Sequence, residues 1–331
     1  MNISVIIPVF NAEKYIQKAI ESCLQLPEVK EIVVVDDGYK DNAKKIVKEL
    51  AKKSSIIKLY EHPNNENRGA GPSRNLGIEK ATQEYIAFLD ADDYFLLNRF
   101  EKDRKVFEEK PDADGCYNAI DCCFYSEKAK EHFLNHFSST TTSVKSSACP
   151  TPESLFHGLI GLIPNHGYFH LNGLTVKKDF LRRKKIAFPA LSVHQDTVFI
   201  IKLAYYGKFY PANLNSAVAL RGIHEENRIT FNYQLEKRKN NNRYLMWYYL
   251  FSWGKQENID KKELKIFKLN FTLHKMLSSS NPKLTNLIRP IFNDIRILAY
   301  PSYRKLIINN LTRLISSSFS KQKNKLNQLN M

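Results

Sequence analysis

The stretch YIAFLDADDYF, Tyr85 to Phe95, runs apolar and then ends in Asp90, Asp92 and Asp93 with only Ala91 between them. Three carboxylates this close repel one another and need a compensating partner. Hard oxygen ligands suit a divalent magnesium or manganese ion, which also binds phosphate oxygens. The plain alternative is an acidic turn that caps the following helix. A second acidic pair, Asp36 and Asp37, follows the apolar run Ile32 to Val35. An acid there can accept from a base N–H, from a ribose hydroxyl or from the backbone of its own turn. Further along stand Asp196, within HQDTVF, and Arg221, His224 and Asn227, within RGIHEENRIT. A carboxylate at a helix start can act as a general base or simply cap the helix. A lone histidine is a metal ligand, a phosphate contact or a structural residue.

The elements that must position these groups alternate. Ile3 to Val9 reads as a β-branched strand. Asn11 is expected to cap a helix whose apolar positions, Ala12, Tyr15, Ile16, Ala19, Ile20, Cys23 and Leu24, recur with a 3.6-residue period. Glu31 to Val35 is a second strand, apolar enough to be buried on both faces. Asp41 is expected to cap a helix that turns Ile46, Val47 and Leu50 inward, and Ile56 to Tyr60 is a third strand. Pro72 suits the first turn of a helix running to about Ala81, and Tyr85 to Leu89 is a fourth strand. This order predicts a parallel sheet with helices on both faces. Ligands of such sheets bind beyond the carboxyl ends of the strands. Three polar clusters sit at those ends: Pro8-Val9-Phe10-Asn11, Asp36-Asp37-Gly38 and Asp90-Ala91-Asp92-Asp93. The middle is less regular, with a polar loop at Ser138 to Ser147, a strand at Leu171 to Val176, a helix at Asp196 to Tyr206 and a strand at Ser216 to Leu220.

Five segments in order, SVIIPVFNAEKYI, EIVVVDDGYKDN, NRGAGPSRNLGIEKA, YIAFLDADDYF and HQDTVFIIKLAYYG, resemble the successive landmarks of family 2 glycosyltransferases of GT-A fold. The resemblance covers about residues 1–230. It implies an α/β, Rossmann-like sheet and transfer of a hexosyl or N-acetylhexosaminyl group from a nucleotide-sugar, a UDP-sugar above all, with inversion. By the same resemblance Asp90-Ala91-Asp92 is the DxD motif, with Asp92 meeting the metal and Asp90 meeting ribose or a metal-bound water. Asp93 is an extra acid, left either at the metal or as a helix cap. Main chain at Pro8, Val9, Phe10 and Asn11 would line the base pocket, and Asp36 or Asp37 would read the base. The turn with Gly69 and Arg74 resembles NxGxxxARN, with Ser73 where alanine is common. Arg74 would neutralise diphosphate or cover the base. Asp196 matches the aspartate of the ED motif, the general base, with Gln195 where glutamate is usual. Arg221 and His224 match RxHxxN, where Arg221 would assist the departing phosphate and His224 would bind metal or diphosphate.

The chain has 331 residues and a net charge of +16. Residues 232–331 hold 19 Lys or Arg against 5 Asp or Glu, so nearly all of the basic excess lies there. The expected organisation is a catalytic domain over 1–231 and a basic, mainly helical region over 232–331. YLMWYYLF, KKELKIFKLNFTLHKML and YRKLIINNLTRLI are apolar or amphipathic with interspersed cations. They suit an anionic membrane surface, a packed bundle or homodimerisation. The opening MNISVIIPVFNAEKYI reads as a strand and not a leader, so the protein is expected in the cytoplasm, peripheral on the cytoplasmic face of the inner membrane. Five cysteines without CxxC spacing read as reduced thiols. The resemblance places the enzyme in surface-glycan synthesis, such as lipopolysaccharide, capsule or O-antigen, with a glycan or lipid-linked acceptor. Two other readings exist. One is nucleic-acid binding through the basic helices, which the carboxylate clusters oppose. The other is a nucleotidyltransferase, which usually has a glycine-rich loop where this chain has PVFNAEKY.

Overall fold

The structure, a computed structural model, describes residues 1–38, 41–136, 151–163, 169–227 and 236–278, with residues 304, 308, 311 and 312. The chain divides into two compact units. One comprises Met1–Leu159 and Asn165–Leu235, the other Ile160–Pro164 and Glu236–Met331. The sequence reading placed the boundary at 231/232 and gave residues 160–164 no separate place.

The first unit is built on a seven-stranded sheet with the order β3-β2-β1-β4-β8-β6-β9. Its strands are β1 (Ile3–Val9), β2 (Val29–Asp36), β3 (Ile57–Glu61), β4 (Tyr85–Phe88), β6 (Gly115–Tyr117), β8 (Leu174–Lys177) and β9 (Phe209–Pro211). The β3-β2-β1-β4 half is parallel, as the alternating pattern requires, while β8 runs antiparallel to both β4 and β6. The helices α1 (Ile16–Leu24), α2 (Ala43–Lys53) and α3 (Ala70–Lys80) connect the first four strands. Ile3, Val5, Ile7 and Val9 share a core with Ile16, Ala19, Ile20 and Cys23 of α1. On the opposite face α3 lies close to β1: a Cβ on Gly77 would fall 2.4 Å from Ile6. Period-2 alternation along β1 thus serves both layers.

Pro8 sits inside the central strand, where a missing N–H would ordinarily break the ladder. It is tolerated because β1 pairs with β4 only over Ile3–Ile6, and the last bond on that side is Leu89 N–H to the Ile6 carbonyl. Beyond it β1 stays paired with β2 through Val9 opposite Asp36. The strands therefore part between β1 and β4, the point where the order reverses, and a crevice opens there.

A second sheet, absent from the sequence reading, has the order β5-β10-β7. Its strands are β5 (Tyr94–Phe95), β7 (Asp121–Phe124) and β10 (Ala219–Ile223). The strand expected at Ser216 to Leu220 is β10, displaced towards the C-terminus. Among the described residues the remaining helices of this unit are α4 (Glu101–Glu109), α5 (Glu127–His136), α6 (Pro152–Leu159), α7 (Lys178–Lys184) and α8 (Gln195–Tyr206). Among the described cysteines, Cys23 and Cys116 are buried free thiols, while Cys122 and Cys123 on β7 are only half-buried.

In the second unit α9 (Glu236–Gln256) and α10 (Lys261–Ser278) pack together. Met246, Leu250 and Trp253 are buried with Ile266, Phe267 and Leu273. Rings of α9 meet those of α10, as at Phe251 and Phe271, 5.0 Å apart. Part of YLMWYYLF is therefore an interhelical core, while Leu245 and Tyr248 stay exposed. Among the described residues no helix is long and apolar enough to cross a membrane. Tyr39, Ser138 to Ser147, Cys149 and most of YRKLIINNLTRLI lie outside the described residues.

Candidate active site

The site forms where β1, β2 and β4 end. Asp36 closes β2 and is buried. Asp37 follows it, and its carboxylate accepts the backbone N–H of Arg68 at 2.7 Å and of Gly69 at 2.9 and 3.0 Å. It is 3 % exposed and braces the glycine-rich turn. Gly69 has φ +89°, a conformation that glycine adopts without strain. Ser73, the departure from the family's alanine, has its own role: Oγ donates to the Gly69 carbonyl and lies 2.9 Å from His62 Nε2. Asn11 does not cap α1. It turns the chain with φ +50°, and the helix starts at Ile16. Nor is Asp41 the cap of α2; it braces that start, accepting from Ala43 N–H at 3.1 Å. Beside Asn11 opens a cavity of about 250 Å³, lined also by Glu13, Lys14, Tyr15, Asp41 and Glu226.

The three acids after β4 have separate environments. Asp90 forms an ion pair with Arg74, a guanidinium only 5 % exposed and stacked near Phe188. Burial pushes the Asp90 carboxyl up, but Arg74 and the neighbouring basic groups outweigh it and hold the group below the ordinary carboxylate value. Arg74 is thereby matched by a charge within the protein. Asp93 is buried and caps no helix: it accepts from Gly222 N–H at 2.8 Å and from the Asn172 amide. Burial, with Asp92 and Asp90 nearby, pushes its carboxyl well above the ordinary value. It pins the acidic turn to β10. Gly222 permits that approach, since a Cβ there would fall 2.2 Å from the Asp92 carbonyl oxygen.

Asp92 is the acid left facing the crevice. Its Oδ2 lies 3.1 Å from His224 Nε2 and accepts from Asn227 Nδ2 at 3.0 Å. His224 is carried in by the end of β10 and held by Asn227, whose Oδ1 accepts the His224 N–H at 2.8 Å. Its ring stacks on Tyr15, with centroids 4.4 Å apart. A small octahedral cation with ligands at about 2.1 Å sets adjacent ligands about 3.0 Å apart, which is the Asp92–His224 separation. Among the described residues no group of three or more His, Cys, Asp or Glu could hold a metal. Two protein ligands completed by phosphate oxygens is the usual arrangement for such an ion. His224 Nδ1, buried and without a hydrogen-bond partner among the described residues, leaves the imidazole uncommitted on that side. The residues fit a divalent cation.

Arg221 lies on β10, half-buried, and its charge acts on both Asp90 and His170. Asp196 stands in the first turn of α8. Its Oδ1 accepts the Thr197 N–H at 2.8 Å. Gln195 packs against Gly71, where a Cβ would fall 2.0 Å from its Oε1. Sequence reasoning missed His170 and Asn172. Asn172 ties Asp90 to Asp93, since its Oδ1 accepts the Asp90 N–H at 3.3 Å while its Nδ2 donates to Asp93. Nothing in the string YFHLNGLTV marks either residue.

A mostly parallel sheet whose crevice gathers a DxD turn, with a small second sheet that returns a histidine onto that turn, defines the GT-A class of fold. Residues 4–161 match the family described as Glycosyl transferase family 2, and the chain carries a domain of that family. A Haemophilus influenzae protein named as an uncharacterized glycosyltransferase is 41% identical over 101 residues, 30% of this chain and 40% of the relative. The match thus spans less than half of that relative's length. S. aureus TarS 1-349 in complex with UDP-GlcNAc has a TM-score of 0.58 at 18% identity, covering 94% of this chain and 92% of that one. The mannosyltransferase PcManGT from Pyrobaculum calidifontis, in complex with GDP-Man and Mn2+, has a TM-score of 0.53 at 16% identity, covering 93% and 83%.

Proposed function

We propose that the protein is an inverting, metal-dependent glycosyltransferase that moves a hexosyl or N-acetylhexosaminyl group from a nucleotide diphosphate donor, a UDP-sugar, to a hydroxyl of a glycan or lipid-linked acceptor in cell-envelope polysaccharide synthesis. The observation that carries the reading is the meeting of Asp92 and His224, 3.1 Å apart, brought together from different sheets. The complexes of TarS with UDP-GlcNAc and of PcManGT with GDP-Man and Mn2+ support it.

Asp92 and His224 would hold the cation, which when bound supplies a Lewis acid for the diphosphate. Main chain from Pro8 to Asn11 and the carboxylate of Asp36 line the nucleotide end. Asp37 and Asp93 act through the backbone, holding the glycine-rich turn and the acidic turn in place. Arg221 adds positive charge where the leaving group develops its negative charge. Asp196 takes the proton from the acceptor hydroxyl as that oxygen attacks the anomeric carbon opposite the departing nucleotide, so configuration inverts.

The basic unit with α9 and α10 is proposed to hold the enzyme at an anionic membrane surface, the cytoplasmic face of the inner membrane, where lipid-linked acceptors present their head groups. The catalytic assignment is tested with nucleotide-sugars and manganese, reading donor hydrolysis and transfer. Asp196→Ala should bind donor as the unaltered protein does and lose transfer by about 100-fold or more. Full transfer by that variant refutes its role as base.

A further inference from the structure

We propose that His170 recognises the transferred sugar, as a neutral imidazole whose Nε2–H donates to a hydroxyl or carbonyl oxygen of that sugar. The proposal rests on the glycosyltransferase reading and adds a residue that no motif supplied.

The first observation is the tautomer. His170 precedes a short 3-10 turn, Leu171–Gly173, and its Nδ1 accepts the Asn172 N–H at 3.3 Å. That bond needs a lone pair on Nδ1, so the single proton of the neutral ring sits on Nε2. Burial favours the same uncharged form and pushes the ring below the ordinary histidine value. Nε2 has no hydrogen-bond partner among the described residues.

The second observation is rigidity. Every polar group of Asn172 is engaged, and the residue is fully buried. Its N–H holds His170, its Oδ1 accepts from Asp90 N–H, its Nδ2 donates to Asp93, and its carbonyl accepts from Arg99 Nε at 2.9 Å. Arg99 is in turn fully buried and paired with Asp103 at 3.0 Å. The imidazole is thus fixed by the same residue that fixes the acidic turn.

The third observation is place. Asn172 ties the ring to the acidic turn, holding His170 Nδ1 by its N–H and accepting the Asp90 N–H at its Oδ1, and the charges of Asp90, Arg221, Asp196 and Arg74 all act on the ring. An in-line displacement brings the sugar next to both the leaving diphosphate and the base, the ends that Arg221 and Asp196 serve in the proposed reaction. Arg221 and the cation answer the charge of the diphosphate. A neutral donor adds no charge, so its effect is on the uncharged sugar.

The test uses the full chain with manganese and measures calorimetric affinity for UDP and for UDP-GlcNAc, UDP-glucose and UDP-galactose. His170→Leu should leave UDP affinity within about twofold and weaken the preferred UDP-sugar about tenfold, the loss of one hydrogen bond. His170→Gln, whose amide can accept from Asn172 N–H and donate onward, should recover most of that loss. Ligand-free melting of each variant separates a folding defect from a recognition defect. UDP bound normally, with no selective loss of the UDP-sugar in His170→Leu, overturns this proposal alone. No binding of any of these nucleotides by the unaltered protein removes the underlying reading and this proposal with it.

Discussion

Asp37→Ala separates a brace from a ligand contact. The Asp37 carboxylate, itself buried, accepts two backbone N–H groups, those of Arg68 and Gly69, at 2.7 to 3.0 Å in a part-buried turn. A hydrogen bond to a charged group contributes about 1.5–3 kcal/mol. Removing the carboxylate should therefore cost about 3–6 kcal/mol, a large part of the 5–15 kcal/mol or so that holds a typical domain folded. At about 2–4 °C per kcal/mol for a domain of this size, melting should fall by on the order of 10 °C with no ligand present. Asp37→Asn keeps one acceptor oxygen and should lose roughly half as much. The assay is ligand-free thermal and urea unfolding, paired with UDP titration. A variant that melts within about 2 °C of the unaltered protein while losing UDP affinity would refute the brace and return Asp37 to the ligand.

Two further outcomes follow from charge. Asp90 is held below its ordinary value, so its ionised form adds stability above the ordinary carboxylate range, and that contribution is lost as pH falls through the folded value. Arg74→Met leaves burial as the dominant influence, so melting of the variant should trail the unaltered protein most at neutral pH and the gap should narrow on acidification; a pH-independent gap refutes the pairing. On α10, Lys261, Lys262 and Lys268 are exposed. Changing all three to Gln should weaken binding to phosphatidylglycerol vesicles about 100-fold, from about 1 kcal/mol per cation, and unchanged co-sedimentation counts against the membrane role.

The parallel half of the sheet was legible because its elements are locally coherent: β1 and β2 are rich in valine and isoleucine, and α1 carries a 3.6-residue stripe. The acidic turn was legible as well, since Asp90, Asp92 and Asp93 are adjacent in the chain. What each acid does was not. Asp93 is a buried brace only because Gly222, 129 residues away, donates to it, and Arg74 is matched by Asp90 because α3 packs on β1, the neighbour of β4 in the sheet. Such assignments depend on long-range pairing that leaves no local pattern. The second sheet escaped for a related reason. β5 has two residues and β7 four, too short for alternation to register. His170 and Asn172 act through tautomer and backbone bonds, which residue type alone does not reveal.

The central claim is that Asp92 and His224 form a cation site that the nucleotide diphosphate completes. Titration of UDP into the full chain with and without Mn2+, beside Asp92→Ala and His224→Ala, tests it most directly. The account predicts tight UDP binding only with Mn2+, lost in Asp92→Ala and weakened about tenfold or more in His224→Ala. UDP binding that ignores both the metal and the Asp92 substitution would contradict it.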